Sequence, residues 1–142
     1  MSKTITMLAS GTRGDVQPYV ALGRGLQAAG YGVRLATHAE FRPLVENHGL
    51  AFANLEGNPS ALMVRPGGGM AATFAGGWLR SLRATLDFMR AAQSVYTGLL
   101  ETAWLACQNS DALVIGLPAL WGIHIAEALG VIDRTAIDEP LA

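Results

Sequence analysis

Ala9-Ser10-Gly11-Thr12-Arg13-Gly14-Asp15-Val16-Gln17-Pro18 is the stretch whose reading decides the fold. Ahead of it, Thr4 to Ala9 is short, apolar and closed by Ser-Gly, the pattern of a strand buried on both faces. Beyond it, Val16, Tyr19, Val20, Gly23 and Leu26 recur at three- and four-residue spacings, which predicts a helix stopping at Gly30. Gly11 and Gly14 permit a sharp strand-to-helix turn and bring bare backbone close to whatever binds there. This reading puts Pro18 in the helix's first turn, where its missing N–H costs little. It puts Asp15 just before that turn, as a cap accepting a backbone N–H. A carboxylate so placed lies at the carboxyl end of a strand, where open α/β sheets bind ligands.

Outward from this turn the chain keeps a βα rhythm. Gly32 to Thr37 reads as a second strand, Ala39 to His48 as a short helix with Pro43 near its start and Gly49 as its stop, and Leu50 to Leu55 as a third strand. Gly23 and Gly25 each cost about 1 kcal/mol inside a helix, so close helix–sheet packing is expected at one of them or both. Strand–helix alternation at these spacings means right-handed crossovers and a parallel sheet. Glu56 to Gly77 breaks the rhythm with Arg65-Pro66-Gly67-Gly68-Gly69 and Gly76-Gly77; loops of this length are functional or disordered. From Trp78 to Asn109 the pattern is helical. Its stripe of Leu82, Leu86, Met89, Gln93, Tyr96, Leu100, Ala103 and Cys107 is assigned to the core, with a kink or break expected at Gly98. Ala112 to Ile115 is a fourth strand, Pro118 opens a helix that stops at Gly130, and Val131-Ile132 begins a fifth strand. The fold class is therefore α/β, a Rossmann-like doubly wound parallel sheet of at least five strands.

The 142 residues suit one domain. With 51% hydrophobic and 15% charged residues there is enough apolar material for a sheet covered on both faces. A formal net charge of −1 gives no long-range attraction for nucleic acid. The single cysteine excludes an internal disulfide and fits a reducing, cytoplasmic setting, and with three scattered histidines it forms no metal-ligand pattern. No apolar run reaches the length of a membrane span, and the opening residues are too short for a signal peptide.

Gly11-Thr12-Arg13-Gly14-Asp15-Val16-Gln17-Pro18 after a first strand resembles the amino-terminal signature of GT-B glycosyltransferases. It is most similar to family 28 and its relatives, the sterol glucosyltransferases, rhamnolipid-type enzymes and glycopeptide-antibiotic glycosyltransferases. Thr12 replaces the family's usual serine and keeps the hydroxyl. Ala21-Leu22-Gly23, Ala36-Thr37-His38 and the run from His124 to Gly130 also match. The resemblance covers residues 1–132, so 1–132 is read as an acceptor-binding domain and 133–142, where the pattern fails, as a diverged tail. It implies Asp15 as the general base that deprotonates an acceptor hydroxyl, against a purely structural reading of the same carboxylate as a helix cap. It implies substrate contacts at Gly11, Thr12, Arg13, Gly14, His38 and His124, and no metal. Without the resemblance, Arg13 reads equally as a salt-bridge partner, His38 as a surface turn, His124 as a packing residue, and Trp78 and Trp121 as core or acceptor contacts. In plant-type relatives the base is a histidine oriented by a carboxylate at the end of the fourth strand. Gly116 stands at that position here, so no such dyad is expected.

The function implied is inverting transfer of a sugar from a nucleotide-sugar, such as UDP-glucose, to a hydroxyl of an apolar acceptor: a sterol, lipid or natural product. The nucleotide-sugar is a co-substrate, and no other cofactor is expected. GT-B enzymes bind that donor on a carboxyl-terminal domain, so the chain is expected to be a fragment or one subunit of a split enzyme, inactive alone. Its expected partners are the acceptor and a donor-binding domain or subunit, with peripheral membrane contact and self-association of the isolated domain as further expectations. Two rival classes remain. One is a stand-alone lipid- or metabolite-binding module. The other is an ordinary nucleotide-binding α/β domain, disfavoured because the turn reads Gly-x-x-Gly and not the dinucleotide fingerprint Gly-x-Gly-x-x-Gly.

Overall fold

The computed structural model describes residues 2–58, 77–130 and 132–135. In chain order the elements are β1 (Thr4–Leu8), α1 (Arg13–Ala28), β2 (Gly32–Thr37), a 3-10 turn (Ala39–Phe41), α2 (Arg42–Glu46), β3 (Ala51–Asn54), α3 (Trp78–Cys107), β4 (Ala112–Ile115), a 3-10 segment (Leu117–Gly122), α4 (Ile123–Leu129) and β5 (Ile132–Thr135). The strands form one five-stranded sheet in the order β3-β2-β1-β4-β5. Every pairing is parallel, with Leu8 opposite Ala36 on one side and Ile115 on the other. The chain therefore winds outward from β1 in one direction and returns to wind outward in the other. The topological switch point falls between β1 and β4.

Alternation along the strands sends side chains into two cores. Met7, Ala9, Val33 and Leu35 face Val16, Val20, Phe41 and Val45 of α1, the 3-10 turn and α2. Leu8, Ala36, Leu113 and Ile115 face Leu99, Ala103 and Cys107 of α3 and Ile125 and Ala126 of α4. Gly23 is where α1 comes nearest the sheet, because a Cβ there would stand 2.8 Å from the Met7 methyl and 2.9 Å from Leu50. Gly25 faces open space, so the packing expectation holds for the first glycine alone. The amino ends of β1 and β4 are tied by Asp111, which accepts the Thr4 N–H at 2.7 Å and donates its own N–H to the Thr4 carbonyl at 2.8 Å.

The structure corrects three expectations. α1 begins at Arg13, so Pro18 lies in its second turn and not its first. Its ring removes a donor to the Gly14 carbonyl, and both residues are exposed, so water is at hand for that oxygen. α3 runs unbroken through Gly98, which has instead Glu56 packed against it. The expected fifth strand is present, as Ile132–Thr135. Most importantly, the apolar stripe of α3 is core only at its carboxyl end. Of its members Ala103 and Cys107 are buried, joined by Leu99 from outside the stripe, whereas Leu82, Leu86, Met89, Tyr96 and Leu100 are exposed. A helix of 30 residues spans about 45 Å, while β4, at 4 residues, is about 13 Å long. The sheet is too short to cover the helix, and its first two-thirds overhang.

The carboxyl end of α3 is held by Arg34 of β2, whose Nη1 donates to the Ala106 carbonyl at 2.7 Å. That cation meets the negative end of the helix dipole. Asn109 follows in the left-handed region (φ 61°), where asparagine is tolerated, and returns the chain to β4. Residues 59–76, the bulk of the expected glycine-rich loop, lie outside the described residues. Among the described residues no helix is long and apolar enough to cross a membrane.

Candidate active site

The turn after β1 is shaped by a single requirement, room for the Asp15 carboxylate. Thr12 is the N-cap of α1 in extended conformation (φ −90°, ψ 172°), and Asp15 is the third helical residue. Asp15 is therefore not the cap itself. It reaches back to the cap, in the manner of a capping box. Its Oδ2 accepts the Thr12 N–H at 2.7 Å and the Thr12 hydroxyl at 2.8 Å. Gly11 makes this possible, because at φ +123° it adopts a backbone that side chains avoid, and a Cβ there would stand 2.5 Å from Oδ2. Gly14 has no such constraint.

The anion-binding turn expected from Gly11 to Gly14 is thus a cradle for the chain's own carboxylate. Two donors converge on Oδ2, while among the described residues Oδ1 accepts no hydrogen bond. Asp15 is half-buried and lies at the positive end of the helix dipole. An oriented carboxylate with one committed and one open oxygen, at the carboxyl edge of a parallel sheet and beside its switch point, is equipped to take a proton from a bound group. Arg13 is exposed beside it and makes no ion pair among the described residues.

His38 is drawn to the same edge, but from below. It is 4% exposed, and both ring nitrogens are engaged: Nδ1 lies 3.1 Å from the Leu55 carbonyl and Nε2 lies 3.0 Å from Ser10 Oγ. A carbonyl only accepts, so Nδ1 carries the proton and Nε2 accepts the Ser10 O–H. Burial lowers the pKa of His38, against weaker opposing effects from the Leu55 carbonyl and Glu40, so the ring is held neutral. His38 thereby clasps the ends of β2 and β3 to Ser10, next to the cradle. His124 is not brought in: it stands on the outer side of α4, its side chain 86% exposed, with Glu127 at 3.7 Å.

Tyr19 joins the site without having been singled out beyond its place in the apolar stripe of α1. It lies one turn after Asp15, and its hydroxyl reaches across to the end of β4. A Cβ at Gly116 would stand 3.0 Å from that hydroxyl and 3.3 Å from the Leu8 carbonyl. The available signal was the four-residue spacing from Asp15, which places both side chains on one helix face. A groove of about 400 Å³ between β3 and the end of α3, lined by Arg34, Asn54, Thr102 and Gln108 among others, shares no residue with this site.

Residues 5–136 match the family model of the glycosyltransferase family 28 N-terminal domain. The chain belongs to that family. The family 28 domain is 43% identical over 132 residues to a sterol 3-beta-glucosyltransferase of Sclerotinia sclerotiorum, covering 89% of this chain and 8% of that protein. Against the sterol 3-beta-glucosyltransferase of Aspergillus fumigatus it is 44% identical over 135 residues, 92% of this chain and 9% of the relative. The chain thus spans less than a tenth of these relatives' length. Among solved structures it resembles the glycosyltransferase SsfS6 of Streptomyces sp. SF2575, with a TM-score of 0.63 and 23% identity over 94% of this chain and 39% of that one. It resembles the calicheamicin glycosyltransferase CalG4 with a TM-score of 0.66 and 15% identity, over 94% of this chain and 32% of that one. The family 28 domain therefore has the Rossmann-like fold of the amino-terminal half of GT-B glycosyltransferases, as its opening turn implied. SsfS6 has also been solved with thymidine diphosphate.

Proposed function

We propose that this domain binds the acceptor in an inverting glycosyltransferase that moves a sugar from a nucleoside-diphosphate donor to the hydroxyl of an apolar acceptor, with a 3β-hydroxysterol as the first candidate. The observation that carries the reading is the open Oδ1 of Asp15, beside an Oδ2 fixed by Thr12, at the sheet's switch point. The sterol preference is supported by relatives 43% and 44% identical that are sterol 3-beta-glucosyltransferases. In this mechanism Oδ1 takes the acceptor proton as the acceptor oxygen forms its bond to the anomeric carbon. The bond from that carbon to the phosphate oxygen breaks on the opposite face, and its electron pair leaves with the nucleoside diphosphate. The turn of Gly11, Thr12, Arg13 and Gly14 borders the acceptor, and His38 supports that border from beneath. The donor is held by a carboxyl-terminal domain or partner subunit, so the isolated domain is inactive. The reading includes a cytoplasmic location with peripheral contact at the membrane that supplies an apolar acceptor.

Asp15→Asn in the full-length protein that carries this chain, assayed with UDP-glucose and cholesterol, tests the reading. The amide keeps nearly the same shape and one oxygen to accept the Thr12 N–H, but it is not a base. Turnover should fall about 10²–10⁴-fold, mainly in kcat. Asp15→Ala should lose similar activity and in addition about 0.5–2 kcal/mol of stability with the capping contact. Near-normal turnover in the Asn variant, with only a lower melting temperature in the Ala variant, would make Asp15 a structural residue and the reading wrong.

A further inference from the structure

The geometry points to Tyr19 as a second acceptor-contacting residue: its phenolic hydroxyl, seated in the space left by Gly116, donates a hydrogen bond to the acceptor oxygen whose proton Asp15 removes. This rests on the function proposed above and adds a residue to it. Three observations carry the inference. First, Tyr19 Oη stands over the end of β4, directly across the switch point from the turn that holds Asp15. There a Cβ on residue 116 would be 3.0 Å from it and pressed against the Leu8 carbonyl. Glycine thus leaves the phenol room at this place, which a Cβ on residue 116 would crowd.

Second, the hydroxyl has no hydrogen-bond partner among the described residues, while the ring of this half-buried residue is packed against the core formed by Met7, Val16 and Val20. The ring is fixed and the donor at its tip is open. Third, Asp15 and Tyr19 are one helical turn apart on α1, so the open carboxylate oxygen and the open hydroxyl face the same edge. Burial and the nearby Asp15 charge both raise the Tyr19 pKa, keeping the phenol protonated as a donor.

The pair divides the work on an alcohol. Asp15 Oδ1 accepts the O–H proton, and Tyr19 Oη–H addresses a lone pair on the same oxygen. The remaining lone pair is left for attack. The hydroxyl is thereby oriented in two directions, which discriminates it from a carbon chain that merely fills an apolar cleft.

The test uses the full-length protein with two probes, cholesterol and cholest-5-ene, which lacks the 3-hydroxyl. In Tyr19→Phe the ring packing and melting temperature should be unchanged. The kcat/KM for cholesterol should fall about three- to tenfold, as for a lost neutral hydrogen bond, with the KM for UDP-glucose unaltered. The binding preference for cholesterol over cholest-5-ene should shrink by a similar factor. Gly116→Ala, whose Cβ would stand 3.0 Å from the hydroxyl and shift it by a few tenths of an ångström, should give the same pattern in weaker form, and the double variant should lose little more than Tyr19→Phe alone. A Tyr19→Phe protein that retains wild-type kcat/KM and the wild-type preference for cholesterol overturns the inference and leaves the Asp15 mechanism standing. If the wild type glucosylates nothing, the proposed function falls. The binding arm then still decides: a hydroxyl preference lost in Tyr19→Phe supports Tyr19, and no preference in the wild type overturns it.

Discussion

At the scale of single residues, the site is governed by which polar atoms have partners. Asp15 spends one oxygen on Thr12 and keeps the other open, and His38 spends both ring nitrogens and keeps none. His38 is therefore a structural clasp whose charge state matters to stability. Its pKa in the folded protein lies below the unfolded value of 6.5 because burial disfavours the cation. Above that unfolded value the ring is neutral in both states, and its contribution is complete. As pH falls below it, the unfolded chain takes up a proton that the folded chain resists, so stability declines toward the lower folded pKa. The melting temperature should drop between pH 7 and pH 5, and His38→Gln should flatten that part of the profile. An unchanged slope in the variant would show that other groups set it. At pH 7.5, His38→Ala should cost about 1–3 kcal/mol, since it leaves the buried Ser10 hydroxyl and Leu55 carbonyl unpaired.

At the scale of elements, α3 divides into two parts that sequence periodicity does not distinguish. The same three-and-four spacing runs from Leu82 to Cys107, yet only the last part meets the sheet. Leu99 is completely buried against β1 and β4 side chains, while Met89 is 60% exposed. Leu99→Ala should therefore cost about 2–5 kcal/mol, the range for a large aliphatic side chain lost from a core. Leu82→Ala should stay within about 0.5 kcal/mol, as expected for a surface position. Urea denaturation of the two variants measures this contrast. Equal losses would mean that the first part of the helix is covered after all. Cys107, at the covered end, has its thiol pushed up to about 11 by burial and belongs to the packing, not the chemistry.

At the scale of the whole molecule, the overhanging part of α3 presents Trp78, Leu79, Leu82, Leu86 and Met89 to solvent, with Trp78 76% exposed. A contiguous apolar face of this kind drives association. The isolated chain should sediment as concentration-dependent oligomers. The double variant Leu82→Glu with Met89→Glu should shift it to monomer, with little change in melting temperature. A monomeric wild type across the accessible concentration range would show that the exposed face is too dispersed to self-associate. Both faces of the sheet otherwise carry a buried core.

What the sequence by itself determined was what depends on neighbours in the chain. The first strand, the strained turn at Gly11, the helix stop at Gly30 and the order of strands and helices all follow from local chemistry and from the right-handedness of βα crossovers. Asp15 was legible for the same reason, since its partners in the cradle are three residues away. Only the tertiary structure decided what depends on strand order and on length. Tyr19 meets Gly116 because β4 returns beside β1, and Ser10 meets His38 because β2 lies on the other side. No spacing along the chain encodes either contact. The fate of the α3 stripe was likewise beyond reach, because burial depends on how far the sheet extends beneath the helix, and a helix three times the length of the strand below it has nothing to bury most of its face against.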